Sequence, residues 1–214
     1  MNVTLTTKSE LLLKYREDLK KSPRMVIRTS GSTSKPLYIC LNEYDYEAIT
    51  EIGARCWRNA GVTPGMIVIN TLNSCMWAGG TLDTRSLEKA GACTVNFSVG
   101  NTKELIKVIL DLKADALSCT PSYLDKIKEV LKTEYGLKPD QLGLKFILTG
   151  GEAGVQNPDF RKQVESEWEA SLIDSNYGQA DSVSMFASEN SIFKNGLIFF
   201  GDELLDASSI CSLV

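Results

Sequence analysis

The sequence predicts an α/β fold, a mostly parallel sheet with helices on both faces, and three observations carry that prediction. Short apolar runs of strand length alternate with longer helical stretches along most of the chain, and such alternation makes right-handed crossovers that leave helices on both sheet faces. Glycines stand where helices must stop, at Gly61 and Gly91, positions suited to a left-handed residue. With 43% hydrophobic residues among 214, the chain also has the apolar material for a real core.

The elements follow in order. A first helix is expected over 9–21, capped by Ser9, with Leu11, Leu12, Tyr15 and Leu19 along one side. Two short strands, 25–28 and 37–41, flank a polar loop. A long helix over 44–60 ends at Gly61. Strand 67–71 comes next, then helix 81–90 stopped by Gly91, then strand 92–97. The amphipathic segment 102–112 precedes strand 116–119, and Pro121 opens a helix that runs to 135. Strand 144–148, helix 159–168 and strand 171–174 complete the alternation. No repeat, low-complexity tract or linker marks a boundary, so 1–205 reads as one compact domain and 206–214 as a tail.

Composition removes several classes of function. The net charge is −4, and the densest basic stretch, 14–28, is interrupted by Glu17 and Asp18, so neither nucleic acid nor an anionic membrane is an expected partner. No apolar run approaches the roughly 20 residues of a membrane helix, and no secretory segment follows Met1; the cytoplasm is the default compartment. Six cysteines are spread singly without a C-x-x-C pair, which suits reduced, buried thiols. Histidine is absent, so no mechanism here uses an imidazole. Catalysis must rest on positioning and electrostatics, with lysine, hydroxyls, backbone N–H groups and carboxylates as the tools.

Ligands of such sheets bind beyond the carboxyl ends of the strands, which directs attention to three loops. Thr29-Ser30-Gly31-Ser32-Thr33-Ser34-Lys35-Pro36 offers hydroxyls, a glycine and one flexible cation, the groups that triphosphate oxygens need. It is not a Walker loop, since Pro36 leads into a strand, and taken alone it equally suits a polar hairpin turn. Gly150-Gly151-Glu152 breaks a strand end with paired glycines that let a flat ligand approach the backbone; a plain β-to-α turn needs the same residues. In Asn176-Tyr177-Gly178-Gln179-Ala180-Asp181, placed just after a strand, Tyr177 can stack on a base and Asp181 can hold Mg²⁺, although Tyr-Gly turns are common.

Together, in this order, the three loops resemble those of the acyl-adenylate-forming ligases, and most closely the phenylacetate–coenzyme A ligase branch. That branch's Thr-Pro-Ser-Tyr-Leu segment stands here as Thr120-Pro121-Ser122-Tyr123-Leu124, and the resemblance extends to Gly61, Gly65 and the Trp77-Ala78-Gly79-Gly80 turn. It implies ATP-dependent activation of a carboxylic acid, aryl or aryl-acetic, to an acyl-AMP, followed by transfer to coenzyme A. It assigns the phosphates to Ser30, Gly31, Ser32, Thr33 and Lys35, adenine to Gly151, Glu152 and Tyr177, and Mg²⁺ to Asp181. Trp77, Gly79, Gly80 and Tyr123 become acyl-pocket candidates, with ordinary core packing as the alternative.

Departures from the pattern matter. Ala180 and Asp181 replace a hydroxyl residue and a glutamate, and Glu189-Asn190 with Gly196-Leu197-Ile198 replaces a Glu-Cys pair and a Gly-Leu-His, so no metal site of that Cys and His is expected. The resemblance also implies an N-terminal portion and a C-terminal domain bearing a catalytic lysine, neither of which has a counterpart here. The chain therefore reads as part of such an enzyme, nearly inactive alone. The alternative is a binding or degenerate module that folds, assembles as a homodimer and does no chemistry.

Overall fold

The computed structural model describes residues 7–29, 35–75, 78–178, 185–194 and 196–200. Helix α1 (Lys8–Leu19) opens on a capping box: the Thr7 hydroxyl accepts from the Glu10 N–H at 3.3 Å, and the Glu10 carboxylate accepts from the Thr7 N–H at 2.6 Å. Thr7, not Ser9, is thus the cap, because only Thr7 has a glutamate three residues on. Strands β1 (Met25–Arg28) and β2 (Tyr38–Leu41) pair antiparallel as a separate hairpin. Ile27 and Leu41 of the hairpin are buried against Tyr46 and Ile49 of α2 (Glu43–Asn59) and Leu82 of α3 (Ala78–Ala90). Gly61, just past α2, has φ of +99°, the conformation its position calls for.

The main sheet follows. Strands β3 (Ile67–Asn70), β4 (Cys93–Asn96), β5 (Ala116–Cys119), β6 (Phe146–Gly150) and β7 (Ser171–Gly178) run parallel in the order β4-β3-β5-β6-β7. Two strands absent from the sequence prediction, β8 (Met185–Glu189) and β9 (Leu197–Phe199), extend this sheet antiparallel beyond β7. The crossovers put α2 and α3 on one face, where Trp57, Leu87 and Ala90 pack on Val68, Ala116, Leu148 and Ile173. On the other face lie α4 (Thr102–Leu112), α5 (Tyr123–Val130) and α6 (Pro158–Trp168), with Leu105, Ile109, Ile127 and Trp168 against Leu117, Ile147 and Leu172. Since β3 leaves toward β4 on one side and β5 lies on its other side, the strand order reverses at β3, and the crevice at that reversal opens at the carboxyl edge.

Several expected boundaries differ: β6 runs 146–150 rather than 144–148 and so contains Gly150, β7 runs on to 178, and two helices differ in ways that bear on the site. α3 begins at Ala78 rather than 81, so Ala78, Gly79 and Gly80 form a first helical turn and not a free one. Gly80 is required there: a Cβ would strike the backbone of Asn73 and Ser74, which lies directly on the helix. The helix expected from Pro121 to 135 is α5 plus one π-helical turn, Leu131–Tyr135, closed by Gly136 at φ of +63°.

Candidate active site

The loops after β3, β5 and β6 and the end of β7 come together at the carboxyl edge of the parallel strands, held by side chains that the local sequence supplies. After β3, the fully buried Asn70 amide donates to the Gly80 carbonyl and to Thr84 Oγ1, both at 3.0 Å, while its own oxygen accepts from the Leu72 N–H at 3.1 Å. One side chain thus fixes the strand end, the loop and the first turn of α3.

After β5, Thr120-Pro121-Ser122 turns into α5. The exposed Glu152, which follows β6, accepts from the Ser122 N–H at 3.1 Å and from Ser122 Oγ at 2.9 Å. A carboxylate at the start of α5 complements the positive end of the helix, which lacks a side-chain cap of its own. Glu152 therefore ties the loops after β5 and β6 together. Beneath them Cys119 is fully buried, and its thiol is pushed up to about 12 by burial and, secondarily, by the Glu152 charge; it stays a neutral thiol.

Gly151 takes φ of +80°, and the nearest atom to a Cβ there would be Thr120 Cγ2 at 3.8 Å, so its exposed face is open. Gly150 is the opposite case: a Cβ would meet Asn176 Cβ at 2.5 Å and the Asn176 carbonyl oxygen at 2.7 Å. Here β6 and β7 touch backbone to side chain, and only glycine fits. Tyr177 lies within β7, not after it, and is 44% exposed. Its ring makes edge contacts with Phe186 at 5.7 Å and Phe199 at 6.3 Å, which steady the phenol at the rim of the sheet.

Tyr123 is half-buried, and its hydroxyl pairs with Thr102 Oγ1 at 3.0 Å, joining the starts of α5 and α4. Gly79 faces Leu72, whose Cδ1 lies 3.6 Å from where a Cβ would stand. The base of the hydroxyl-rich loop is closed by Thr29: its N–H donates to the Leu37 carbonyl at 2.9 Å, and its hydroxyl accepts from the Leu37 N–H at 3.0 Å. Lys35 beyond it is exposed and has no ion-pair partner among the described residues. Ser30, Gly31, Ser32, Thr33, Trp77 and Asp181 lie outside the described residues. Among the described residues no group of three or more potential metal-ligating side chains occurs.

The edge thus gathers Gly79, Gly80, Tyr123, Gly151, Glu152 and Tyr177. Sequence reasoning missed Asn70 and Asp83, and gave no role to Asn176, whose amide donates to the Asp83 carboxyl. Asp83 carried a signal: with Leu87 and Ala90 it keeps the i, i+4, i+7 spacing of a buried helix face, where a carboxylate needs a partner from elsewhere in the chain.

This is the architecture of a doubly wound α/β domain, and the fold matches that of the N-terminal domain of adenylate-forming ligases. A 2-hydroxyisobutyryl-CoA ligase, solved in an open conformation with 2-HIB-AMP and CoA, superposes with a TM-score of 0.82 over 94% of this chain and 45% of its own, at 22% identity. In sequence the chain is similar to phenylacetate-coenzyme A ligases. It is 30% identical to the Thermus thermophilus protein over 167 residues, which is 76% of this chain and 37% of the relative. It is 28% identical to the Escherichia coli protein over 173 residues, 79% of this chain and 39% of that one. The chain thus spans little more than a third of the length of these curated relatives. No protein-family model matches it.

Proposed function

We propose that this chain forms the nucleotide and acyl-binding part of an ATP-dependent acid–thiol ligase that converts a carboxylic acid, aryl or aryl-acetic, to an acyl-adenylate and passes the acyl group to coenzyme A. The observation that carries the reading is the meeting of the loops after β3, β5 and β6 with the end of β7 at one edge, in a chain 30% identical over 167 residues to a phenylacetate-coenzyme A ligase.

In this reaction the acid's carboxylate oxygen attacks the α-phosphorus of ATP and the bond to pyrophosphate breaks. No protein nucleophile is needed, which suits a chain without histidine. The open left-handed turn at Gly151 and the rim position of Tyr177 suit an adenine between backbone and ring. Glu152 holds the turn beneath through Ser122. Ser30, Gly31, Ser32, Thr33 and Lys35 are assigned to the phosphates, on a hairpin whose base Thr29 closes. Magnesium, when bound, neutralises phosphate charge, with Asp181 as the candidate ligand. The acid is assigned to the space beside Gly79, Gly80, Tyr123 and Trp77. The described cysteines are all free thiols, in keeping with a reducing compartment such as the cytoplasm, and no described helix is long and apolar enough to cross a membrane.

The test is calorimetric titration of the chain with ATP and Mg²⁺ beside Lys35→Ala. Removing one phosphate-binding cation should weaken binding roughly tenfold. A folded wild type that binds no nucleotide would refute the reading. Ala180, where the pattern that the chain resembles has a hydroxyl residue, favours a second reading, a nucleotide-binding module without chemistry. Tight ATP binding with no pyrophosphate exchange on a panel of aryl acids would select it.

A further inference from the structure

The buried carboxyl of Asp83 on α3 accepts a hydrogen bond from the Asn176 amide at the end of β7, and the reading above leaves this contact unused. Asp83 is 2% exposed, and no ion pair involving it occurs among the described residues. Asn176 reaches α3 only because the strand slips. Thr149 pairs with Asp174 but Gly150 pairs with Asn176, so Ser175 is passed over and its hydroxyl donates to the Thr149 carbonyl at 3.1 Å. Without that extra residue, Asn176 would share a face with Leu172, which packs on the opposite side of the sheet. The bulge turns the amide toward α3.

Three parts of the candidate site then depend on one helix. Its first turn carries Gly79 and Gly80; Leu82 packs against the hairpin whose loop is assigned to the phosphates; Asp83 holds β7 one residue before Tyr177. Along the helix the Asp83 side chain leans back over the preceding turn, which brings Oδ2 to 3.7 Å from where a Gly79 Cβ would stand. On its far side Asn176 presses on Gly150, so a shift of Asn176 moves both Tyr177 and the Gly150-Gly151 turn.

We propose that Asp83 is a positioning residue for nucleotide binding: through Asn176 it locks the acyl-side helix to the adenine-side strand and sets the gap between the Gly151 backbone and the Tyr177 ring. The inference rests on the adenine assignment made above. It acts by geometry, since Asp83 lies behind Gly79 and Asn176 and has almost no surface to offer a ligand.

The test is calorimetric AMP binding by the 214-residue chain and its Asp83→Leu, Asp83→Asn and Asn176→Asp variants and the swapped double variant, each with its melting temperature. Asp83→Leu should weaken AMP binding by about tenfold, since the tie to Asn176 is lost. Asp83→Asn keeps an acceptor and should stay within about threefold of the wild type. Should Asp83→Leu fail to fold, the pair swap carries the test: Asn176→Asp alone sets two carboxyls together and weakens AMP binding, and adding Asp83→Asn restores it. Unchanged AMP affinity in Asp83→Leu, or a swap that restores melting temperature but not affinity, overturns the latch. A wild type that binds no AMP overturns the adenine assignment and the latch with it.

Discussion

At the scale of single residues, Asp83 also makes a prediction about pH. Burial raises its carboxyl well above the ordinary range, and the Asn176 hydrogen bond only partly opposes this. A carboxyl whose folded value lies above its unfolded value of about 4 favours folding fully only below that value, and the contribution is lost as pH rises through the folded value. Asp83→Asn removes the titration. The variant should therefore melt higher than the wild type at pH 7, by roughly 2–4 °C for about 1 kcal/mol in a domain of this size, and the difference should close as pH falls toward 4. Differential scanning fluorimetry across pH 4–8 measures it; a gap that does not depend on pH would show that Asp83 is not the titrating group. Cys56, the neighbouring thiol that feels the Asp83 charge, is held at about 12, mainly by burial, and does not titrate in this window. At this scale the sequence was partly legible. Gly150, Gly151, Glu152 and Tyr177 drew attention because glycine pairs and an aromatic at strand ends are rare without a reason. The resemblance assigns Glu152 to adenine, and the fold adds what the sequence does not show, that Ser122 donates to both of its oxygens.

At the scale of elements, the junction of the parallel strands with the antiparallel extension, β7 with β8, is fastened by a buried ion pair rather than by packing alone. Arg161 of α6 places Nη2 at 2.9 Å from both Glu189 oxygens, and its Nη1 donates to the Leu172 carbonyl at 2.6 Å. Glu189 is 1% exposed and also accepts from the Asp174 N–H at 3.1 Å, so β7, β8 and α6 share one carboxylate. Removing only the cation leaves an uncompensated buried charge. Arg161→Met should destabilise by about 3–5 kcal/mol, and Arg161→Met with Glu189→Met should recover most of that loss, because an apolar pair of similar volume is tolerated. Chemical denaturation of both variants checks it, and equal losses in the single and double variants would refute it. This contact explains why β8 escaped notice: its buried residues include Ser188 and Glu189, whose partners Cys56 and Arg161 lie far off in sequence, so apolar alternation does not announce the strand. The helices were legible for the converse reason. α4 and α6 have local caps, Asn101 and Asn157, and their apolar faces repeat at helical spacing, all within one stretch of chain.

At the scale of the whole molecule, two apolar layers share a single sheet, and that arrangement couples their stability. Trp57 sits in the layer beneath α2 and α3, and Trp168 in the layer beneath α4, α5 and α6; neither is more than 1% exposed. The strands between them face both ways. Val68 and Ile69, Leu117 and Ala116, Leu148 and Ile147, and Ile173 and Leu172 are neighbours that serve opposite layers, so losing either layer strips one face from every central strand. The α/β class was readable because this alternation is written in the order of short and long segments. The bulge at Ser175 and the hairpin's separation from the main sheet were not, since both depend on contacts between residues distant in sequence. The coupling predicts one cooperative transition. Two reporters test it: a variant keeping only Trp57 and another keeping only Trp168, each with the remaining two tryptophans changed to phenylalanine, unfolded in urea and followed by fluorescence. Their midpoints, each corrected for the stability change measured by circular dichroism on the same variant, should coincide. A Trp57 signal that is lost well before the helical signal of its own variant would mean that the α2–α3 layer, which carries Asp83 and the Gly79-Gly80 turn, opens as a unit of its own. In that event the candidate site would be assembled on a separable layer, and AMP should then raise the midpoint of the Trp57 signal while leaving that of Trp168 unmoved.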